Sequence, residues 1–137
     1  MDITNQHRMP KWMRIALIAT GVLNMFGAVL FLPSAESLRA SNGFPIGSHP
    51  VYLSIISSWI FLFGLCYLWL GFKARDEKLF LVIGAAGKAA FVAIALLFAA
   101  RGEVPLITAL STLPDLAFAA MFTYYLVTST RPNRVGE

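Results

Sequence analysis

The feature that most constrains this chain is a set of four apolar stretches, each long enough to cross a lipid bilayer. They cover residues 12–32, 51–72, 79–100 and 105–127 of the 137-residue sequence. A helix rises ~1.5 Å per residue and needs about 20 residues to cross ~30 Å of hydrocarbon. We therefore predict an all-α fold, in which one domain, residues 1–137, forms an integral membrane four-helix bundle.

Composition supports this assignment and excludes several function classes. Hydrophobic residues make up 58% of the chain and charged residues 13%, whereas soluble domains have about 25% charged residues. The single cysteine, Cys66, excludes an intramolecular disulfide and a C-x-x-C redox pair. With only His7 and His49 as histidines and no clustered carboxylates, we expect no metal and no other cofactor.

The distribution of basic residues predicts the topology. Of the 11 lysines and arginines, Lys88 lies within a span, and only Arg39 and Arg101 lie in the first and third connections. The others lie at the termini or in the second connection: Arg8, Lys11, Arg14, Lys73, Arg75, Lys78, Arg131 and Arg134. Basic segments stay in the cytoplasm, so we expect an inner (plasma) membrane protein with both termini cytoplasmic. Anionic lipids, not nucleic acid, are then the expected partners of these residues.

The connections between the spans are unequal in length. Residues 73–78 and 101–104 are short enough to predict antiparallel neighbouring spans. Residues 33–50 form a longer outer loop, in which we predict a short helix from Ser34 to Arg39 with Ser34 as its N-cap. This loop is a plain connector, a partner contact or a lid over the bundle, and a connector is the favoured alternative.

Two ionisable residues fall near the middle of predicted spans, Lys88 in the third and Asp115 in the fourth. A charge at the bilayer centre costs about 2.5 to 3.5 kcal/mol, so an unpaired position facing lipid is disfavoured. The two positions differ in depth by roughly 4 Å, at ~1.5 Å per residue, and a lysine side chain spans that distance. We therefore predict a buried Lys88/Asp115 ion pair.

Uncharged polar residues fall at a similar depth in the other spans. Pro114 precedes Asp115 and predicts a kink in the fourth span. Polar side chains in a bundle hold helices in register or bind a ligand, and both interpretations stay open. The candidate ligand-binding or coupling residues are Lys88, Asp115, Asn24, Ser111, Thr108 and Ser57 or Ser58.

Three functions are compatible with such a layer. The favoured one is a non-enzymatic membrane subunit or small-ligand or lipid-binding protein, in contact with the bilayer, a membrane-protein partner, a second copy of the chain or a small molecule. The alternative is a proton- or anion-coupled transporter working as a homo-oligomer. A membrane enzyme using Lys88 as a nucleophile or base is less favoured, since a neighbouring carboxylate keeps the amine protonated, and we assign no catalytic residue.

The layout of the chain carries a family resemblance. Four short spans, Gly84-x-x-x-Lys88, and the closing Pro114-Asp115-Leu116-Ala117-Phe118 before Tyr124-Tyr125-Leu126 resemble small four-helix bacterial membrane proteins of the DoxX-like group. The resemblance implies a four-helix membrane fold. DoxX-like chains place a Gly-x-x-Lys-Leu element in the first span, where this chain has Asn24 and no lysine, so no functional residue is carried over.

Overall fold

The computed structural model describes residues 9–129, and the regular structure in this part of the chain is entirely helical. The helices are α1 (Lys11–Leu30), α2 (Glu36–Ser41), α3 (Pro50–Lys73), α4 (Lys78–Ala100), α5 (Leu106–Leu110) and α6 (Leu113–Ser129). Four segments, α1, α3, α4 and α5 with α6, are long and apolar enough to cross a membrane. The prediction of an all-helical chain with four candidate spans is confirmed. The predictions for His7, Arg8, Arg131 and Arg134 lie outside the described residues.

The surface around these helices is apolar. Large hydrophobic side chains point outward on every long segment, among them Phe26 (71% exposed), Leu79 (74%) and Ile107 (74%). Water-soluble monomers rarely expose apolar surface on this scale, whereas lipid solvates it without penalty. The exposed surface therefore agrees with a multi-pass membrane protein.

The closest packing joins α1 and α3, the first and second spans. Glycines make this possible: a Cβ on Gly21 would lie 3.0 Å from the backbone oxygen of Gly64, and one on Gly71 would lie 3.2 Å from the backbone oxygen of Arg14. Ser57 on α3 adds a hydrogen bond of 2.7 Å to the Ala28 carbonyl on α1. Small residues at facing positions are what lets membrane helices approach closely.

The second helix pair consists of α4 with α5 and α6. Helices α3 and α4, joined by a short connection, meet through side chains and not through close backbone packing. Their backbones stay apart because aromatic rings fill the space between them. Phe63 on α3 stacks on Phe80 of α4 at a centroid distance of 5.4 Å, and Tyr67 meets Phe80 at 5.0 Å. A short hairpin fixes which helices follow each other, but not the distance between them.

We call the end of the bundle with residues 31–49 and 101–105 the loop end, and the opposite end, with residues 9–10 and 74–77, the termini end. The buried core lies in the half nearer the termini end, where all four spans meet. Its members are Met9, Met13, Ala16, Leu17, Tyr67, Leu70, Leu81, Ala85, Phe122 and Tyr125. The two helix pairs are therefore packed against each other at the termini end.

The connection of residues 31–49 is docked against the loop end. Arg39 is 1% exposed, and its Nη1 donates to the carbonyls of Leu30 (3.1 Å), the last residue of α1, and Leu32 (2.5 Å), two residues beyond it. A cation at this position complements the helix dipole and satisfies carbonyls that have no partner in the helix. The predicted N-cap at Ser34 is wrong: residues 33–35 form a 3₁₀ turn, and α2 begins at Glu36 without a side-chain cap.

Gly21→Ala tests the close packing of α1 and α3. The added Cβ would meet the Gly64 carbonyl and the Leu68 side chain, so we expect a loss of about 1 to 3 kcal/mol in the free energy of unfolding. The measurement is thermal or denaturant unfolding of the purified protein in detergent.

The matched control is Gly87→Ala, because a Cβ at Gly87 would meet no atom within 4 Å. Both substitutions gain the same helix propensity, up to about 1 kcal/mol in water, so the difference between them reports packing alone. Equal stabilities of the two variants would contradict the close α1–α3 contact.

Candidate functional site

The site begins with a break in the fourth span. The sequence predicts a kink at Pro114, but the structure interrupts the helix at residues 111–112, between α5 and α6. Pro114 then lies in the first turn of α6, where its missing N–H has no helical partner to lose. Asp115 lies in the same turn, and a carboxylate is favoured at the N-terminus of a helix.

Hydroxyl groups satisfy the backbone at this break. Ser111 Oγ donates to the Thr108 carbonyl at 2.6 Å, and Thr112 Oγ1 donates to the Ala109 carbonyl at 2.6 Å. Freed backbone groups at membrane depth are tolerated only where the protein or water supplies partners. Both hydroxyl groups at the break, directly before Asp115, therefore have backbone partners.

Lys88 brings three helices together at this depth. Its side chain is 8% exposed, and its Nζ contacts Oδ1 of Asp115 on α6 and donates to Oδ1 of Asn24 on α1 at 3.3 Å. Asn24 in turn donates from Nδ2 to the Ile60 carbonyl on α3 at 3.4 Å. The Nζ also lies 5.7 Å from the ring centre of Tyr67 and 5.8 Å from that of Phe118, within the range of a cation–π contact.

A cavity of about 600 Å³ lies between the two helix pairs, on the loop side of Lys88. Polar side chains line one region of it, the floor, which we define as Asn24, Tyr67, Lys88, Ser111, Thr112 and Asp115. The walls are apolar and include Leu23, Phe26, Gly27, Phe31, Trp59, Ile60, Phe63, Ile83, Gly87 and Phe91, and Leu38, Asn42 and Phe44 of the connection lie at the loop end.

This combination of size and lining is typical of a ligand site. Small-molecule pockets hold roughly 300 to 1,000 Å³ and combine apolar walls with a few polar groups that orient the ligand. The cavity also reaches the lipid-facing surface, because Trp59 on α3 and Ile83 on α4 line it and are 60% and 48% exposed. The gap that the aromatic rings keep between α3 and α4 is therefore part of the site.

Not every residue predicted for the polar layer lies there. Ser58 is exposed on the surface of α3, and its neighbour Ser57 faces inward but bonds to α1 instead of lining the cavity. Thr108 is buried, 3% exposed, and its Oγ1 donates to the Asn42 carbonyl at 2.8 Å. Thr108 thus ties the connection to α5 and is not part of the floor.

Tyr67 and the aromatic walls were not identified from the sequence. Tyr67 is 2% exposed, lies in the core and also lines the cavity. The sequence position of Tyr67 could have identified it, because a tyrosine inside a span lies away from the interfacial aromatic belt and needs a polar partner. Phe63 and Phe91 carried no such signal, because a phenylalanine in a span is equally suited to lipid, to a core and to a cavity wall.

The chemistry available at the floor is hydrogen bonding and charge. Among residues 9–129, no group of three or more His, Cys, Asp or Glu side chains is placed to share a metal ion. The floor offers an ammonium, a carboxylate, an amide and hydroxyl groups, which can orient a polar group in an otherwise apolar space.

No protein-family model, no curated protein and no solved structure matches this chain. The resemblance to DoxX-like proteins therefore stays a prediction.

Thr108→Val tests the attachment of the connection to α5. The variant keeps the shape of the side chain but removes the donor to the Asn42 carbonyl, and a single hydrogen bond contributes about 0.5 to 1.5 kcal/mol. We expect faster amide hydrogen exchange in residues 42–48. Thr123→Val is the control, because Thr123 Oγ1 donates only to its own helix, at the Ala119 carbonyl. Exchange in residues 42–48 that is equal in both variants would show that Thr108 does not hold the connection.

Proposed function

We propose that this protein is a non-enzymatic membrane protein that binds a small lipophilic molecule in the cavity between its two helix pairs. The observation that carries the proposal is the cavity itself: about 600 Å³ of mostly apolar space with a polar floor near the middle of the spans. Lys88 is one residue from the midpoint of α4, Lys78–Ala100, so the floor lies deep in the bilayer, where polar groups are expensive and are usually functional.

The proposal includes an ion pair between Lys88 and Asp115 as the centre of the floor. The contact between Nζ and Oδ1 supports it, as does the low exposure of the two side chains, 8% and 17%. Two opposite charges that share a hydrogen bond avoid most of the cost that either would have alone in lipid.

We further propose that the protein lies in the inner (plasma) membrane with both termini in the cytoplasm. The charges at the two ends of the bundle support this orientation. Arg14, Lys73, Arg75 and Lys78 are at the termini end, while the described loop end has only Arg39 and Arg101. By the positive-inside rule the cavity then opens on the outer side of the membrane.

The distribution of packing favours binding over transport. A transporter needs access to its site from both sides, but on the termini side of the floor the side chains are densely packed. Leu17, Leu81 and Phe122 are each 0% exposed there, and Trp12 closes against Tyr125 at a ring distance of 6.1 Å.

A binding assay tests the cavity directly. With Trp12→Phe and Trp69→Phe as background, Trp59 in the cavity wall is the only tryptophan left. We expect saturable quenching of its fluorescence by the methyl ether of 9,10-dibromooctadecanol in phosphatidylcholine nanodiscs. Gly87→Leu should abolish the saturable part, because Gly87 lines the cavity and a Cβ there meets no atom within 4 Å, so the added side chain fills cavity space.

Ala89→Leu is the control, since Ala89 is exposed on another face of α4 and does not line the cavity. It should bind like the background protein, while quenching by probe dissolved in the lipid stays the same in all variants. Quenching that does not saturate, or that Gly87→Leu leaves unchanged, would contradict a binding function.

A double-mutant cycle tests the ion pair separately. We expect Lys88→Met and Asp115→Asn each to lower the free energy of unfolding by about 3 to 5 kcal/mol, because each leaves a buried charge without its partner. The double variant should recover much of that loss. Thermal unfolding of the four purified proteins in detergent measures both effects, and strictly additive losses would mean that the charges do not interact.

A further inference from the structure

The floor of the cavity has both an unused hydrogen-bond acceptor and an unused donor. Asp115 accepts from Lys88 at Oδ1, and among residues 9–129 its Oδ2 and the Tyr67 hydroxyl have no hydrogen-bond partner. Polar side-chain atoms that are both occluded and unpaired occur in this part of the chain at Thr20, Arg39 and Asp76. The free atoms of Asp115 and Tyr67 are not among them, so they are accessible from the cavity that both residues line.

The charge of the floor selects against a charged ligand. Its ionisable groups are one ammonium and one carboxylate, Lys88 and Asp115, which compensate each other. A carboxylate, phosphate or amine on the ligand would add a third charge near the middle of the bilayer with no countercharge left for it. The head group of the ligand is therefore uncharged.

The free hydrogen-bonding groups of the floor further restrict the chemistry of the ligand's head group. An ether or ketone oxygen only accepts, so it pairs with the Tyr67 hydroxyl and leaves Asp115 Oδ2 without a donor. A hydroxyl group both donates and accepts. It can donate to Oδ2 of Asp115 and accept from the Tyr67 hydroxyl, so one small head group serves the two free atoms named above.

The walls determine the rest of the molecule and its route. They are apolar and aromatic, and Trp59 and Ile83 belong both to the cavity and to the lipid-facing surface between α3 and α4. A ligand that dissolves in the bilayer reaches the floor through this gap without crossing water. Building on the binding function proposed above, we infer that the cavity takes a lipophilic alcohol, a single hydroxyl on an apolar body, from the membrane.

The test compares head groups on one tail. The Trp59 assay is repeated with 9,10-dibromooctadecanol, its methyl ether and 9,10-dibromostearic acid, which is measured at a pH where it is ionised. A hydrogen bond to a charged group has a larger effect than one between neutral groups, so we expect the alcohol to bind about tenfold to a hundredfold more tightly than the ether. The ionised acid should bind more weakly than the alcohol.

Tyr67→Phe separates the two contacts. It removes the donor, which serves the ether and the alcohol alike, so both should lose affinity by a similar factor while the preference for the alcohol persists. Loss of that preference in Tyr67→Phe would overturn the assignment of Asp115 as the acceptor.

The outcomes distinguish this inference from the binding function. If all three probes quench in a saturable way that Gly87→Leu abolishes, but with equal affinities, the cavity binds amphiphiles and the selection of alcohols is wrong. Tighter binding of the ionised acid than of the alcohol would also overturn the selection of alcohols, while leaving the binding function in place. If none of the probes shows saturable quenching, the binding function itself fails.

Discussion

In lipid, a backbone carbonyl or amide that leaves a helical ladder has no water to replace its partner, and this constraint organises the bundle. Polar side chains bond to backbone carbonyls at two such places, the end of α1 and the break between α5 and α6. Arg39 donates to the carbonyls of Leu30 and Leu32 at the end of α1, and Ser111 and Thr112 donate to carbonyls of α5 at the break before α6. Among the buried polar side chains of residues 9–129, Arg39, Ser57, Thr108 and Thr112 bond to backbone carbonyls, whereas Lys88 bonds to side chains of two other helices.

The charged cluster at Lys88 lies where the two helix pairs separate. At the termini end, Leu17, Phe122 and their neighbours form a continuous core. Toward the loop end the same helices enclose a cavity instead. A bundle that served only to hold its helices together would gain stability from filling that space, since empty volume forfeits packing contacts. The division between a packed half and an open half is the structural reason to connect this protein with binding.

The sequence predicts the candidate spans and the positions of the charges along them because both depend on position along a helix axis. Residue number converts directly to depth in a membrane helix, and the structure brings Lys88, Asp115 and Asn24 into one cluster. Rotation about the axis is harder to predict: Ser57 and Ser58 are adjacent in sequence, yet one bonds to α1 and the other is exposed.

The distance between helices could not be predicted from the sequence, for a different reason. It depends on which side chains face each other, and that is decided by the whole packing arrangement. Gly21 facing Gly64 draws α1 to α3, whereas Phe63 stacked on Phe80 holds α3 away from α4. The cavity results from this difference in helix spacing, so no motif within one segment predicts it.

Gly87 gives the cavity an adjustable size. A Cβ at this position would meet nothing within 4 Å, so alanine would occupy space that is now free without disturbing the helix packing around it. The free volume of the cavity is therefore set in part by residue 87, which lies in its wall. A substitution there changes the space between the helix pairs without replacing any polar group of the floor.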